Sequence, residues 1–477
     1  MNQPGSRSPV FTWGVPVFVA ILPPLLTLVL FLVLYNNSDQ GRLILVALIA
    51  MNSLVLALPG KRLGMDKRFA PAKAASVSVL SFVAAIYLVE LVFPWMLPAQ
   101  YAQIRDLSKA VTGISDTDRA RFSVVFTNAE REPSALPTNP RDQGPRPIAW
   151  HQPGKDFDYF GYDPNEKIRY INVIRWNSQG HFDRDYARTK PPNVFRVVII
   201  GDSYVESIQA PLNRTFHKLL ERGLNEAAKQ SSSARPRFEV IALGNSGTGQ
   251  VAHLNVLKTD AIDYSPDLVL FTLAHNDFCD DDRELNRERN LYLGEATPFL
   301  RNLVRHGYFG LAFALFRYRE LERNRLGISP ELLQWSASDT PRIEDAWKRT
   351  LAAVKDARDF CRTRGIRFRL VYLGSELELD HALDPENTLA ELRNMDGPHR
   401  RTEWNMLRSV NRVEDFCRRN DIPFTSLLEP MVSAQKESGK LIFGDHFTFF
   451  GHEVVAKTLE SAFHPDMDRS GSPGSSR

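Results

Sequence analysis

Residues 195–206 read FRVVIIGDSYVE, a continuous apolar and β-branched run that leads into Gly201, Asp202 and Ser203. Such a run, followed by helix-like residues, predicts a buried strand of a parallel sheet. Ligands of open α/β sheets bind beyond the carboxyl ends of the strands. Ser203 is therefore expected at an exposed strand end, where its backbone N–H lies near a helix N-terminus that favours developing negative charge. It is a candidate nucleophile.

Three further polar clusters follow apolar runs along the chain. GNSGTG at residues 244–249 follows a strand predicted at 238–243, and AHND at residues 274–277 follows one predicted at 266–273. Residues 444–452 read GDHFTFFGH. In this order the four clusters resemble the four sequence blocks of the SGNH (GDSL) hydrolases, which carry a serine, a glycine, an asparagine and a histidine. The resemblance covers residues 193–464.

The resemblance implies a role for one residue in each block. Ser203 matches the nucleophile and His446 the general base. Gly247, through its backbone N–H, and Asn276, through its side-chain amide, match two oxyanion donors that join the Ser203 N–H. A serine hydroxyl needs a base to remove its proton, and the tetrahedral intermediate needs preorganised donors. The implied chemistry is acyl transfer.

The chain departs from the family pattern at two positions. Ala274 stands where the third block usually begins with glycine, and Phe443 occupies the position of the acid, three residues before the histidine. The nearest carboxylate, Asp445, is adjacent to His446 and is predicted to orient the imidazole. The alternative is a backbone carbonyl that holds the ring, so that the enzyme runs as a Ser–His dyad.

Other site classes fit the sequence less well. The glycine-rich turn lacks the Lys-Ser/Thr of a Walker A phosphate loop, and neither HExxH nor GxSxG occurs. The acidic residues between Asp277 and Asp282 fit a solvated turn better than a calcium loop, because no spaced ligand pattern accompanies them. We therefore predict neither a cofactor nor a metal. The net charge of +3 does not suggest nucleic-acid binding.

The N-terminal part is apolar enough to span a membrane. Residues 11–35 and 43–60 carry no charge, and residues 74–98 carry only Glu90. Each segment approaches or exceeds the length that crosses a hydrocarbon core of about 30 Å, which predicts three transmembrane helices. Basic residues concentrated at 61–73 put that loop in the cytoplasm. The catalytic region is then on the periplasmic side of the cytoplasmic membrane, and Glu90 is a candidate contact for a membrane-protein partner or an interfacial side chain.

The predicted organisation has four parts. A transmembrane region at 1–99 is followed by a linker and accessory β-element at 100–192, an SGNH-like catalytic domain at 193–465 and a disordered tail at 466–477. The catalytic domain is predicted to be α/β, with a flavodoxin-like parallel sheet of about five strands. Cys361 and Cys417 follow the same Asp-Phe motif on two predicted helices, which leaves a disulfide or two half-buried free thiols open.

The leading hypothesis is a membrane-anchored serine esterase without a cofactor, which acts on acyl esters of envelope or exported carbohydrate, O-acetyl groups foremost, or of lipid. Its closest alternative is an O-acyltransferase, in which a sugar hydroxyl instead of water resolves the acyl-enzyme. A non-catalytic envelope protein that binds glycan or assembles with membrane partners is the alternative from another class.

Overall fold

The computed structural model of this protein describes residues 95–96, 124–127, 151, 156–230, 235–292, 303, 312, 315, 318–319, 328–395, 402–444 and 446–468. The chain divides into two units, one of residues 1–116 with 294–322 and one of residues 117–293 with 323–477. The second unit contains both sheets and every residue of the candidate site that the structure describes.

The larger sheet has five parallel strands, in the order β5-β4-β6-β7-β8. They are β4 (Val194–Gly201), β5 (Arg237–Gly244), β6 (Leu268–Leu273), β7 (Arg367–Tyr372) and β8 (Phe424–Ser426). The order, in which the first strand of this sheet lies between the second and the third, is that of flavodoxin-like folds. The predicted α/β class with a parallel sheet is confirmed.

Helices cover both faces of this sheet because alternate strand residues point to opposite sides. On β4, Val198 and Ile200 pack in one apolar layer, and Val197 and Ile199 pack in the other. The helices are α1 (Ser203–Glu206), α2 (Phe216–Gln230), α3 (Gln250–Thr259), α4 (Asp277–Asp280), α5 (Arg283–Tyr292), α6 (Pro341–Arg362), α7 (Glu376–Leu383), α8 (Pro385–Met395), α9 (Arg408–Arg419), α10 (Leu428–Ser438) and α11 (Phe449–Asp468). Residues of α3, α6 and α9 contribute to the first layer, and residues of α2, α10 and α11 contribute to the second.

A second sheet precedes the larger one in the chain. It consists of β1 (Val124–Thr127), β2 (Asp156–Asp163) and β3 (Ile168–Arg175) in the order β1-β3-β2, with β1 parallel and β2 antiparallel to β3. Tyr170 of β3 lies in a small apolar cluster with Ala210 and with Phe449 of α11. We call this three-stranded sheet the accessory sheet.

Within the described residues, the helices are too short or too polar to cross a membrane. The predicted spans at 11–35, 43–60 and 74–98 lie outside the described residues, except for Trp95 and Met96, which are helical and exposed. Glu90 also lies outside them.

Cys361 on α6 and Cys417 on α9 are free thiols buried in the same apolar layer. Burial raises the pKa of each to about 12, so both remain protonated at neutral pH.

Candidate active site

The polar clusters meet where β4, β5 and β6 end side by side. Gly201 at the end of β4 pairs with Gly244 at the end of β5, and β6 pairs with the other edge of β4. The backbone N–H of Asn245 donates to the Gly201 carbonyl at 3.0 Å. A Cβ atom on Gly244 would collide with the backbone nitrogen of Glu206, so the close approach of the two strand-end turns requires glycine there.

Ser203 begins α1 directly after β4. Asp202 precedes it as the N-cap and accepts from the Tyr204 N–H at 3.0 Å. The Ser203 Oγ lies 2.8 Å from Nε2 of His446, although 243 residues separate the two in the chain. This distance joins a hydroxyl to an imidazole nitrogen that can accept its proton in one step.

A tight turn presents His446 to the serine. The Gly444 N–H donates to the His446 carbonyl at 2.7 Å, and an isolated bridge pairs Phe443 with Phe447. The centroid of the Tyr204 ring lies 4.8 Å from that of the imidazole. A serine after the first strand of a five-stranded parallel sheet thus meets a histidine that precedes the last helix. The arrangement agrees with the one that the resemblance to the SGNH hydrolases predicts.

Phe443 stands at the position where the resemblance to the SGNH hydrolases places an acid. Its side chain is buried and packs against Tyr204 and Phe447 in the apolar layer. A carboxylate would lose its hydration there without a compensating donor. Asp445, the predicted orienting acid, lies outside the described residues, so its role remains a prediction.

The amide of Asn276 lies beside the residue that precedes the serine. Its Nδ2 donates to Oδ2 of Asp202 at 3.2 Å and to Oδ2 of Asp280 at 2.8 Å. Burial raises the pKa of Asp202, and it raises that of Asp280 to about 6. To donate to a substrate oxyanion, the amide would have to give up one of these two hydrogen bonds to a carboxylate.

Gly247, the other predicted oxyanion donor, lies in the exposed turn after β5 with a φ of +70°. This left-handed backbone conformation suits glycine. Ser246, next to it, donates from its hydroxyl to the buried carboxylate of Glu206.

Glu206 also accepts from His151, and the sequence analysis missed both of these residues. Nε2 of His151 lies 2.8 Å from Oε1 of Glu206. The imidazole of His151 stacks on Trp176 with a centroid distance of 3.6 Å. These contacts join residue 151 to α1 over a long sequence separation, and no local pattern indicates them.

Gln209 is a third residue without a sequence signal. Its carboxamide nitrogen lies 3.2 Å from Nδ1 of His446, on the opposite side of the ring from Ser203. It follows the serine by six positions and belongs to none of the four blocks.

The acidic turn after β6 is buried, so the expectation of a solvated turn was wrong. Asp277 accepts from the Ala274 N–H at 2.9 Å, and Asp281 accepts from the N–H groups of Gln250 and Val251 at the start of α3. Burial raises the pKa of Asp277 well above its ordinary value. These carboxylates connect β6, α3 and α4. Within the described residues, no group of three or more His, Cys, Asp or Glu side chains could hold a metal ion.

Neither a family model nor a curated protein matches the chain. Solved structures similar to it include an acetyl xylan esterase (12% identity, TM-score 0.31), which covers 56% of this chain and 98% of its own. A two-domain esterase active on acetylated mannans has 11% identity and a TM-score of 0.32, with 60% of this chain and 51% of that chain covered. A GDSL-like lipase from Bacteroides thetaiotaomicron has 14% identity and a TM-score of 0.30, with 60% and 93% covered.

Proposed function

We propose that this chain is a serine esterase of the SGNH type that acts on acyl esters of carbohydrate. The observation that carries the proposal is the 2.8 Å distance between Ser203 Oγ and His446 Nε2 at the carboxyl end of the first strand of the parallel sheet. A nucleophile and a base at hydrogen-bond distance are the minimal pair for acyl transfer through a covalent intermediate.

The reaction has two halves. His446 removes the hydroxyl proton as Ser203 Oγ attacks the ester carbonyl, and the same proton then passes to the departing alcohol. The acyl group remains on Ser203 until His446 deprotonates a water molecule, which attacks the acyl carbonyl. The bond to Ser203 Oγ then breaks, His446 returns the proton to that oxygen, and the acid leaves. The backbone N–H groups of Ser203 and Gly247 and the amide of Asn276 are the proposed donors to the oxyanion in both halves.

Polar groups beside the serine support a hydroxyl-rich substrate. The buried Glu206 carboxylate, on the same short helix as Ser203, is bonded by Ser246 and His151 at the site rim. Groups of this kind can exchange hydrogen bonds with sugar hydroxyls. An apolar tunnel for a long acyl chain would not offer such hydrogen bonds. O-acetyl groups are the acyl esters that we propose first.

The proposal includes an outward-facing, membrane-anchored domain. It rests on the three apolar segments and on the basic residues at 61–73. An anchored domain on the periplasmic side would meet acetylated polysaccharide at the envelope.

A serine-directed fluorophosphonate probe tests the proposed chemistry on the full-length chain. We expect labelling of the wild type and of Ser461→Ala, the matched control at a serine of α11 whose hydroxyl donates to the Lys457 carbonyl of the same helix, but not of Ser203→Ala. Acetate release from acetylated xylan, acetylated mannan and 4-nitrophenyl acetate, compared with a long-chain 4-nitrophenyl ester, then defines the substrate class. Unlabelled wild type would contradict the proposal. Acetyl transfer to an added glycan without acetate release would identify a transferase instead.

A further inference from the structure

The side chain of Gln209 contacts the nitrogen of His446 that faces away from the serine. The carboxamide nitrogen lies 3.2 Å from Nδ1, and Gln209 is buried. The carboxamide oxygen Oε1 is also buried and has no hydrogen-bond partner. A half-turn about the last side-chain bond exchanges the oxygen and the nitrogen without moving the other atoms, and hydrogen-bond partners decide between the two orientations.

Base catalysis requires one particular tautomer of His446. Nε2 must be unprotonated to accept the Ser203 proton, so the neutral ring carries its hydrogen on Nδ1. A hydrogen on Nδ1 requires an acceptor opposite it. With Oε1 of Gln209 turned toward the ring, the Nδ1–H donates to that oxygen, and the buried oxygen gains a donor.

The accessory sheet holds the backbone of Gln209 at three consecutive carbonyls. Nδ2 of Asn172 donates to the carbonyls of Ile208 and Ala210, both at 2.9 Å. The Tyr170 hydroxyl donates to the carbonyl of Gln209 itself. Both donors project from β3, and both are buried. The loop at 208–210 therefore has little freedom to move the carboxamide away from the imidazole.

The end of β2 and the turn that follows it contact the loop that carries His446. Asn165 exchanges two hydrogen bonds of 2.8 Å with the backbone of Leu441, and Asp163 accepts from the Phe449 N–H at 2.9 Å. These contacts flank His446 in the chain. One sheet thus fixes both the loop that carries Gln209 and the loop that carries the histidine.

From this geometry we infer that Gln209 is a positioning residue: its Oε1 accepts the Nδ1–H of His446 and so sets the tautomer that the base needs. The inference rests on the proposed function of Ser203 and His446. The neutral amide orients the ring. Because it carries no charge, it stabilises the imidazolium less than a carboxylate would. Asp202 and His452 also interact electrostatically with His446, and both are unchanged in the variants below.

Two substitutions at Gln209 separate orientation from packing. Gln209→Met keeps the length of the side chain and removes the acceptor, whereas Gln209→Glu keeps an acceptor and adds charge. In the full-length chain we expect the methionine variant to lose about 10- to 100-fold in kcat at unchanged KM, the scale of one hydrogen bond to a charged group. In the glutamate variant, the acid limb of the pH–rate profile should move to higher pH, because a carboxylate stabilises the imidazolium. Gln230→Met, at an exposed glutamine at the end of α2, is the matched control and should behave as wild type.

Imidazole ¹⁵N NMR measures the tautomer directly, and His446→Asn identifies the signal. Protonated Nδ1 in the neutral wild-type ring, with a tautomer mixture in Gln209→Met, supports the inference. Protonated Nε2 in the wild type overturns it, as does a methionine variant with normal kcat or a glutamate variant whose acid limb does not move. If Gln209→Met fails to fold, the wild-type spectrum and the pH–rate profile of Gln209→Glu still test the inference. If the fluorophosphonate probe does not label the wild type, the proposed function is wrong. If the probe labels the wild type normally and the Gln209 variants keep wild-type kinetics, only the role of Gln209 is wrong.

Discussion

Asn276→Ala should damage catalysis and stability together, by two separable mechanisms. Loss of one oxyanion donor costs roughly 10²–10³-fold in kcat. The same amide donates to the buried carboxylates of Asp202 and Asp280, so its removal takes one donor from each. Two hydrogen bonds to charged groups contribute about 1.5–3 kcal/mol each, and relaxation recovers part of this, so we expect a loss of about 2–4 kcal/mol in the free energy of unfolding.

The stability loss should depend on pH in a defined direction. The pKa of Asp280 rises from 3.8 in the unfolded chain to about 6 in the fold, chiefly through burial. At this carboxyl the folded state therefore binds more protons between these values, and the contribution of Asp280 to stability falls as the pH rises from about 4 to about 6, by about 3 kcal/mol in total. The Asn276 amide lowers this pKa, so the alanine variant should have a still higher one and continue to lose stability above pH 6.

Urea unfolding at pH 5 and pH 8, with kcat measured on an acetyl ester, tests both parts. Asn286→Ala is the matched control, because Asn286 donates to Asp280 at 2.7 Å from α5 and lies outside the proposed oxyanion hole. Asn286→Ala should also lose more stability at pH 8 than at pH 5, but its kcat should stay within a few fold of the wild-type value. Normal kcat in Asn276→Ala would refute the oxyanion role, and equal destabilisation at the two pH values would refute the electrostatic argument.

Four further results are expected. Ser203→Ala and His446→Ala should each abolish nearly all ester turnover, because members of one catalytic unit fail together; full activity of the histidine variant would mean that another group is the base. Asp445→Asn should lower kcat only slightly if Gln209 accepts the Nδ1–H of His446, whereas a loss of up to ~10⁴ would mean that the Asp445 carboxylate orients the ring and would contradict that role of Gln209. An alkaline phosphatase fused after Thr112 should be active, and a cytoplasmic reporter there silent, if the three apolar segments span the membrane. The cysteine thiols, all buried, should not react with a disulfide reagent at pH 8 until the protein is unfolded, and rapid reaction of the native protein would contradict their burial.

Local pattern determined the parallel sheet and one of the candidate site residues. The strand predicted at 238–243 lies within β5, and the strand predicted at 266–273 overlaps β6. Both could be predicted because a buried parallel strand is a continuous apolar run, which is visible in the sequence of that strand alone. Ser203 was identified from its place after an apolar strand, and His446 from the resemblance of the four blocks to the SGNH hydrolases. The fold brings the two side chains to 2.8 Å.

Tertiary contacts alone decided what surrounds this pair. Phe443 packs between the rings of Tyr204 and Phe447, and Asp277, at the start of α4, is buried where Gln250 of α3 donates to it. Gln209 reaches His446 across 237 residues only because Tyr170 and Asn172 hold its loop from another sheet. A hydrogen bond of this kind depends on the relative position of distant segments, whereas sequence periodicity reports only which face of its own strand or helix a residue occupies.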